Sequence, residues 1–160
     1  MRQPFPEQIR EIYLQHNGHV PSSEAPAILG PGFCFHRLEE MVGDWSTNES
    51  LRLAGEDFAA PDNPPQVRPL IWHSRMIPIA SDGGGASVVV DCSPSHLGTM
   101  GQILIVDFES PVVDLVGDSL SDYVTALLRD LRSPGGICVS RMAGIVGSSD
   151  GWPDCVPTLG

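Results

Sequence analysis

The hydrophobic and polar positions of the chain follow two different periods. In the first third, apolar residues recur three and four positions apart, the spacing that places them on one face of a helix. From Val67 onward they form short runs rich in Val and Ile, separated by Gly, Pro, Asp or Ser. Such runs are typical of strands. The pattern therefore predicts helices first and a sheet afterwards.

Three helical segments are predicted before the strands. In PFPEQIREIYLQHNG the apolar residues share one face, and Asn17 with Gly18 supply a left-handed C-cap. The stretch HVPSSEAPAILGPG is rich in proline and is predicted as a loop. A helix follows in LEEMVGDW, and a separate short helix is predicted over 47–54, capped by Ser46 or Thr47.

Five short runs predict the strands of one sheet: VRPLIW, RMIPIA, ASVVVDC, GQILIVDF and PVVDLVG. The linkers between them are too short for a crossover helix, so neighbouring strands should be antiparallel. The clearest amphipathic helix then follows over 119–132. The predicted fold class is α+β: a single, mainly antiparallel sheet of about five strands (67–117), packed by N-terminal helices and by the helix at 119–132.

The length of 160 residues fits one domain with a single core. We predict that residues 1–147 form this domain, with one possible strand near its end. Residues 148–160 are rich in Gly and Pro and are predicted to be a weakly ordered tail.

The charge of the chain narrows its possible partners. The formal net charge is −11, and all nine basic residues are Arg. An acidic surface repels the phosphate backbone of nucleic acids, whereas complementary fields speed the encounter with a basic protein. We therefore expect no nucleic acid as a ligand, whereas a basic protein would be drawn to the chain. Solubility alone is the alternative explanation of the charge.

Composition and the first residues indicate the compartment. Apolar residues make up 41% of the chain and charged residues 18%, as in a soluble globular protein. No segment is long and apolar enough to span a bilayer, and the first residues lack the pattern of a signal peptide. These features predict a cytoplasmic protein without a membrane partner.

Four cysteines lie far apart, with no CxxC pair and no zinc-finger spacing. No metal, disulfide or cofactor is predicted, and Cys92 is expected to pack as a small hydrophobic residue. His96 lies in the loop SPSHLGTMG next to strand ends, where it could in principle activate Cys92 or Ser93 as a nucleophile. Nothing in the sequence orients His96 as a base. A small hydrolase is thus kept as the third alternative.

The bend SDGGG raises the question of a phosphate site. A phosphate-binding loop needs the N-terminus of a helix and a nearby cation. Here a strand follows the glycines, the chain has no Lys, and Asp82 would oppose an anion. The glycines instead predict positive φ angles or a bulge in a turn between antiparallel strands.

Four segments taken together resemble the SUKH superfamily: LQHNGH, LEEMVGDW, PLIWHSRMIPIASDGGGASVVVDCSP and GTMGQILIVD. The superfamily includes a yeast regulator and many bacterial immunity proteins. The resemblance runs from about Pro6 to Leu131 and implies an N-terminal helical part, a mainly antiparallel sheet and a closing helix. This chain departs from the usual pattern at Met76, where relatives have Trp, and at 86–88, where they often have a polar residue and an aromatic.

The resemblance implies a binding protein without catalysis. In bacteria such a protein is typically a cytosolic immunity protein that binds and blocks a toxin domain. The alternative is a regulatory scaffold that docks cellular proteins. Trp45 and Trp72 are expected in the core or in a cleft wall, where aromatic side chains anchor interfaces when partly exposed. The candidate contact residues are Trp45, Trp72, Asp82, Gly84, Asp91, Glu56, Asp57 and Asp62.

Overall fold

The computed structural model describes residues 5–19, 29, 32–56, 58–110, 112–132, 139–140 and 144–145. Within these ranges the helices are α1 (Glu7–Gln15), α2 (Leu38–Ala54) and α3 (Leu120–Arg132). The strands are β1 (Cys34–Phe35), β2 (Met76–Ser81), β3 (Ala86–Asp91), β4 (Gln102–Asp107), β5 (Val112–Gly117), β6 (Val139–Ser140) and β7 (Gly144–Ile145).

The main sheet has five strands in the order β1-β2-β3-β4-β5, and every neighbouring pair is antiparallel. Sequential strands are therefore neighbours throughout. Short linkers account for this from β2 to β5, whereas α2 and the segment 58–74 lie between β1 and β2. The strands β6 and β7 pair with each other, antiparallel, in a separate two-stranded sheet. The predicted α+β class with an antiparallel five-stranded sheet is confirmed.

One predicted strand is wrong, and another takes its place. The run VRPLIW over 67–72 forms no strand; its contact with the preceding segment is an isolated bridge between Ala59 and Leu70. Pro69 lacks the N–H that a strand would donate at this position. The fifth strand is β1, whose Phe35 pairs with Ala80 of β2. A strand of two residues is too short to produce an alternating pattern.

The predicted break between two helices is also wrong, because α2 runs without interruption through position 47. The hydroxyl groups of Ser46 and Thr47 donate back to the carbonyl oxygens of Val42 (2.7 Å) and Gly43 (3.1 Å) instead of capping a new helix. Ser and Thr can bond in this way inside a helix. The helix ends at Gly55, which has φ 90°.

The first helix ends earlier than predicted. Its C-cap is His16, in extended conformation, and not Asn17 or Gly18. Gly18 does have the expected positive φ, 68°, at the start of the connection toward β1. Asn17 has a different role, since its Oδ1 accepts a hydrogen bond of 2.9 Å from the amide of Leu38 at the start of α2.

Apolar residues are buried on both faces of the sheet. On one face, α1 and α3 cover a cluster that contains Val88, Val90 and Ile103. On the other face, the segment 58–72 and Trp45 of α2 cover a second cluster. Because both faces are covered, the strands read as continuous apolar runs and not as strict alternation. The second cluster consists of Ala60, Val67, Ile71, Trp72, Met76, Val89, Leu104, Val106 and Val113.

The predicted helix at 119–132 is confirmed as α3, and Ser119 caps it. The Ser119 hydroxyl accepts a hydrogen bond from the Asp122 amide (3.1 Å) and donates one to the Asp122 carboxylate (2.7 Å). Among the described residues, none of the helices has the length and apolar character needed to cross a lipid bilayer. The predicted tail at 148–160 lies outside the described residues.

Replacing Gly43 with alanine should stabilise the protein. Gly43 lies inside α2, is exposed, and has no neighbouring atom within 4 Å of the position a Cβ would take. Because alanine forms helix better than glycine, we expect the free energy of unfolding to rise by up to about 1 kcal/mol. Urea denaturation measures this change, and a decrease in the unfolding midpoint would show that Gly43 is needed for another reason.

The two tyrosines should make the fold sensitive to alkali. Burial raises the pKa of Tyr123 from 10.0 to about 12, and burial together with the negative charge of Glu40 raises the pKa of Tyr13. Their hydroxyl groups donate to the carbonyl oxygens of Leu29 (2.7 Å) and His36 (2.8 Å). A folded pKa above the unfolded pKa contributes stability that is complete below pH 10 and is lost as the pH rises through 12.

The measurement is an ultraviolet titration of tyrosinate, followed together with circular dichroism. The sequence contains two tyrosines, so the signal reports these two residues. We expect ionisation to be delayed beyond pH 10 and to coincide with loss of the native dichroism. Two tyrosines that ionise near pH 10 while the fold persists would contradict this expectation.

Candidate functional site

The triple-glycine bend is a hairpin between β2 and β3. The amide of Asp82 donates to the carbonyl oxygen of Ala86 (3.1 Å), and Gly83 and Gly85 have φ angles of 73° and 110°. The carboxylate of Asp82 accepts hydrogen bonds from the amides of Gly84 (2.8 Å) and Ala86 (3.0 Å). Two amides of the bend are thus bonded to an acid of the chain itself, an arrangement that does not favour an anionic ligand. The prediction of a strand after the glycines is confirmed.

A second turn lies against this hairpin at the same end of the sheet. The amide of Phe108 donates to the carbonyl oxygen of Gly85 (3.2 Å), and a Cβ on Gly85 would lie 2.8 Å from Cγ of Glu109. The carboxylate of Asp107 caps this turn through the amides of Glu109 and Ser110. We call Asp82, Asp107 and Glu109 the acidic sheet end. Asp82, Gly84 and Glu109 are exposed there.

Asp91, a predicted contact residue, lies in the interior and is 0% exposed. Its carboxylate accepts hydrogen bonds from the Ser93 amide (2.8 Å) and from Gln102 Nε2 (3.1 Å), and it lies 3.4 Å from His73 Nε2. Gln102 Nε2 also donates to the carbonyl oxygen of Gln66 (3.2 Å). This network ties β3 and β4 to the segment before β2. Asp91 therefore holds the scaffold together and is not presented to solvent.

A groove lies between the C-terminal half of α2 and the segment 58–74, with a volume of about 420 Å³. We call it the α2 groove. Two of the predicted contact residues, Glu56 and Trp72, line it, and a third, Trp45, is hydrogen bonded to its wall through Nε1 and the Ser74 carbonyl oxygen (3.2 Å). The residues that line the α2 groove are Arg52, Glu56, Phe58, Ala59, Leu70, Trp72, His73 and Ser74.

The two charged side chains that line the α2 groove, Arg52 and Glu56, differ in their ion pairing. The Arg52 guanidinium donates to both carboxylate oxygens of Glu49, at 2.6 and 2.9 Å. These hydrogen bonds lower the pKa of Glu49, so the pair stays ionised and has no net charge. Glu56 is exposed and makes no ion pair within the part of the chain that the structure describes. Glu56 therefore gives the groove its net negative charge.

Trp72 forms the inner part of the groove wall and is 1% exposed. Its ring lies 6.4 Å from that of Phe108, centroid to centroid. Within the described ranges its Nε1 is buried without a hydrogen-bond acceptor. The expectation of a core or cleft-wall position is confirmed for this residue. Of the remaining candidates, Asp62 is exposed in the loop after Ala60, and Asp57 lies outside the described residues.

A second cavity, of about 500 Å³, lies on the opposite face of the sheet beside α1 and the start of α3. Cys92 contributes to its lining but is only 2% exposed, in the cluster with Ile9 and Leu120. The expected packing of Cys92 as a small hydrophobic residue is confirmed. A cysteine buried in this way is an unreactive structural residue, and His96 is exposed on the following loop. Among the described residues no three His, Cys, Asp or Glu side chains are arranged to hold a metal ion.

The comparison with known proteins decides the family. A sequence profile of the SMI1 / KNR4 family (SUKH-1) matches residues 1–126. The chain belongs to this family. It is also similar to the cell wall assembly regulator SMI1 of Saccharomyces cerevisiae, with 26% identity over 105 residues, or 60% of this chain and 20% of the yeast protein. The chain thus spans about a fifth of the length of that relative.

The SUKH-1 match includes the whole five-stranded sheet and both sides of the α2 groove. Family membership supports an interaction domain without catalytic activity. Met76, the position at which the sequence was expected to depart from the family pattern, is fully buried in the second cluster. A thioether fills irregular apolar space well, so this departure leaves the sheet intact.

The sequence did not single out Arg52, Phe58, Leu70 or His73 as site residues. Phe58 and Leu70 lie in a loop whose irregular backbone has no repeating pattern. The spacing of Glu49 and Arg52 on one helix was the available signal, because residues three apart are neighbours on a helix surface.

Proposed function

We propose that this SUKH-1 protein neutralises a cognate bacterial toxin domain by binding it directly, without catalysis, in the cytoplasm. The observation that supports the proposal most is the formal charge of −11 on a fold of this family. Exposed acids stand at two separate places, the acidic sheet end and the rim of the α2 groove. A basic toxin domain, such as a nuclease, is the partner that such a surface attracts.

Charge and shape have different parts in this proposal. Exposed acids speed the encounter, an effect that is screened beyond a Debye length of about 8 Å at physiological ionic strength. Specific affinity comes from buried anchors and shape complementarity. A rigid antiparallel sheet with ordered turns supplies a surface of fixed shape, to which a partner can be complementary. The protein acts as a monomer or as a weak dimer.

Co-expression tests the proposal. Any toxin domain that is encoded beside this gene is induced in cells with and without the chain. We expect growth to be rescued by the wild-type chain. A second strain carries the chain with Cys92→Ala and His96→Ala, which should rescue growth equally because no bond is made or broken by these residues. Cells that die equally fast with and without the wild-type chain would refute the toxin-neutralising function.

A regulatory scaffold is the second candidate function. The similarity to the cell wall assembly regulator SMI1 of yeast favours it. In that case the same surfaces dock cellular proteins, and no neighbouring toxin gene exists. Identification of the protein that co-purifies with the chain separates the two candidates: a toxin-like domain supports the first, and a cellular protein without toxicity supports the second.

A further inference from the structure

We infer that the α2 groove receives a long basic side chain, Arg or Lys, of the partner protein. The inference rests on the proposed function, because it requires a protein partner. It selects this groove, and not the acidic sheet end, as the place of the specific contact. The selection follows from the combination of apolar walls and one unbalanced carboxylate.

The walls of the α2 groove suit the methylene stem of such a side chain. Phe58 and Leu70 are half-buried and line it. Phe58 is held in place by Phe108, whose ring meets it edge-on with centroids 6.1 Å apart. Lys and Arg bury their methylene stems along apolar surface while the charged head stays near water. The volume of about 420 Å³ is within the range of sites that enclose a ligand group.

The rim of the groove suits the charged head. Glu56 offers a carboxylate with no ion pair among the described residues, whereas Arg52 is already neutralised by Glu49. The three side chains together have a net charge of −1, counting Glu49 and Glu56 as −1 each and Arg52 as +1. An acidic side chain of a partner would be repelled there, and a neutral one would leave Glu56 unpaired. A cationic head is the complementary group.

The acidic sheet end is a poorer site for the same group. Two of its three carboxylates, those of Asp82 and Asp107, each accept two backbone hydrogen bonds that hold their own turns. Neither the α2 groove nor the cavity beside α1 is lined by these residues. A basic ligand can meet the exposed carboxylate of Glu109 there, on the surface of a turn and outside the α2 groove. This surface therefore serves as the matched control.

The test is an NMR titration of the isotope-labelled chain with a capped peptide, acetyl-Gly-Arg-Gly-Arg-Gly-amide, at low and at physiological ionic strength. The indole N–H of Trp72 is the reporter, because it is buried in the groove wall without an acceptor among the described residues. We expect its resonance and the amides of 52–58 and 70–74 to move in a saturable way. The same peptide with Glu in place of Arg should leave them unchanged.

Three variants should change the affinity for the Arg peptide in three different ways. Glu56→Gln should lower the affinity for the Arg peptide roughly twofold to fivefold, the range for an exposed charge pair. Arg52→Gln should strengthen it by a similar factor, because Glu49 then adds an unbalanced charge. Glu109→Gln makes the same change of net charge as Glu56→Gln but lies at the acidic sheet end, and it should leave the affinity within error.

Equal weakening by Glu56→Gln and Glu109→Gln, or movement of resonances at the acidic sheet end alone, would overturn the inference. These results would not refute the toxin-neutralising function, because the co-expression experiment tests that function whichever surface binds the toxin. Conversely, the peptide could bind specifically in the α2 groove while the chain fails to rescue growth in the co-expression experiment. That result would support the inference about the groove and refute the toxin as the partner.

Discussion

The Gly18→Ala variant is expected to lose most of its stability. Gly18 has φ 68°, and a Cβ there would overlap the carbonyl group of His36 and the amide nitrogen of Arg37. Both neighbours are backbone, so no side chain can swing away. Left-handed strain and a steric overlap each cost about 1–3 kcal/mol, and we expect a combined loss of at least about 3 kcal/mol.

The neighbourhood of Gly18 makes relaxation costly. The amide of His19 donates to the carbonyl oxygen of Phe35 in β1 (2.9 Å), and the Tyr13 hydroxyl donates to the carbonyl oxygen of His36 (2.8 Å). Moving the chain away from the added methyl group would break these bonds. The junction of α1, β1 and the start of α2 therefore depends on the absence of a side chain at this position.

Gly55→Ala is the matched control for this prediction. Gly55 has a similar φ, 90°, but no atom lies within 4 Å of its virtual Cβ. The control should lose only about 1 kcal/mol, the cost of the left-handed conformation alone. Chemical denaturation of the two variants and the wild type gives the comparison. Equal losses for the two variants would mean that the close approach at Gly18 does not exist in solution.

The Asp91→Ala variant should also be strongly destabilised, although an aspartate at a strand end suggests a surface role. Removal of the carboxylate leaves Gln102 Nε2, in the interior, with one acceptor fewer, and leaves the amide of the half-buried Ser93 without its 2.8 Å partner. Each buried donor that loses its partner costs about 1–3 kcal/mol. We expect a loss of about 3 kcal/mol in the free energy of unfolding.

Asp82→Ala provides the comparison, since the Asp82 carboxylate also accepts two backbone hydrogen bonds. Asp82 is exposed, so water replaces the lost acceptor and the expected loss is about 1 kcal/mol or less. Thermal or urea unfolding of both variants measures the difference. A smaller loss for Asp91→Ala than for Asp82→Ala would contradict the buried network.

The strands from Met76 to Gly117 and the hairpin of three glycines were predictable because apolar runs and turn residues are local signals. The strand β1 was not, since two residues pair with β2 only through a contact between distant parts of the chain. The continuity of α2 depends on Ser46 and Thr47 bonding to their own preceding turn, whereas the same residues are typical N-caps.

The candidate site was predictable only in part. Glu56 is predicted as an acid of a surface loop and Trp72 as an aromatic residue of the run 67–72, and the fold brings them to one groove. The interior position of Asp91 depends on Gln102 and His73, eleven and eighteen residues away in sequence, which no spacing rule connects. Placement by the tertiary fold, and not by local pattern, decides which acids are exposed.

The most direct test of the central claim is calorimetric titration of the chain with its purified cognate toxin domain at two ionic strengths. Binding of a protein partner through an acidic surface predicts a saturable complex whose association constant falls as salt is raised from about 0.01 to about 0.15 M, where the Debye length shrinks from about 30 to about 8 Å. No detectable complex at either ionic strength, or an affinity that salt leaves unchanged, would contradict the claim.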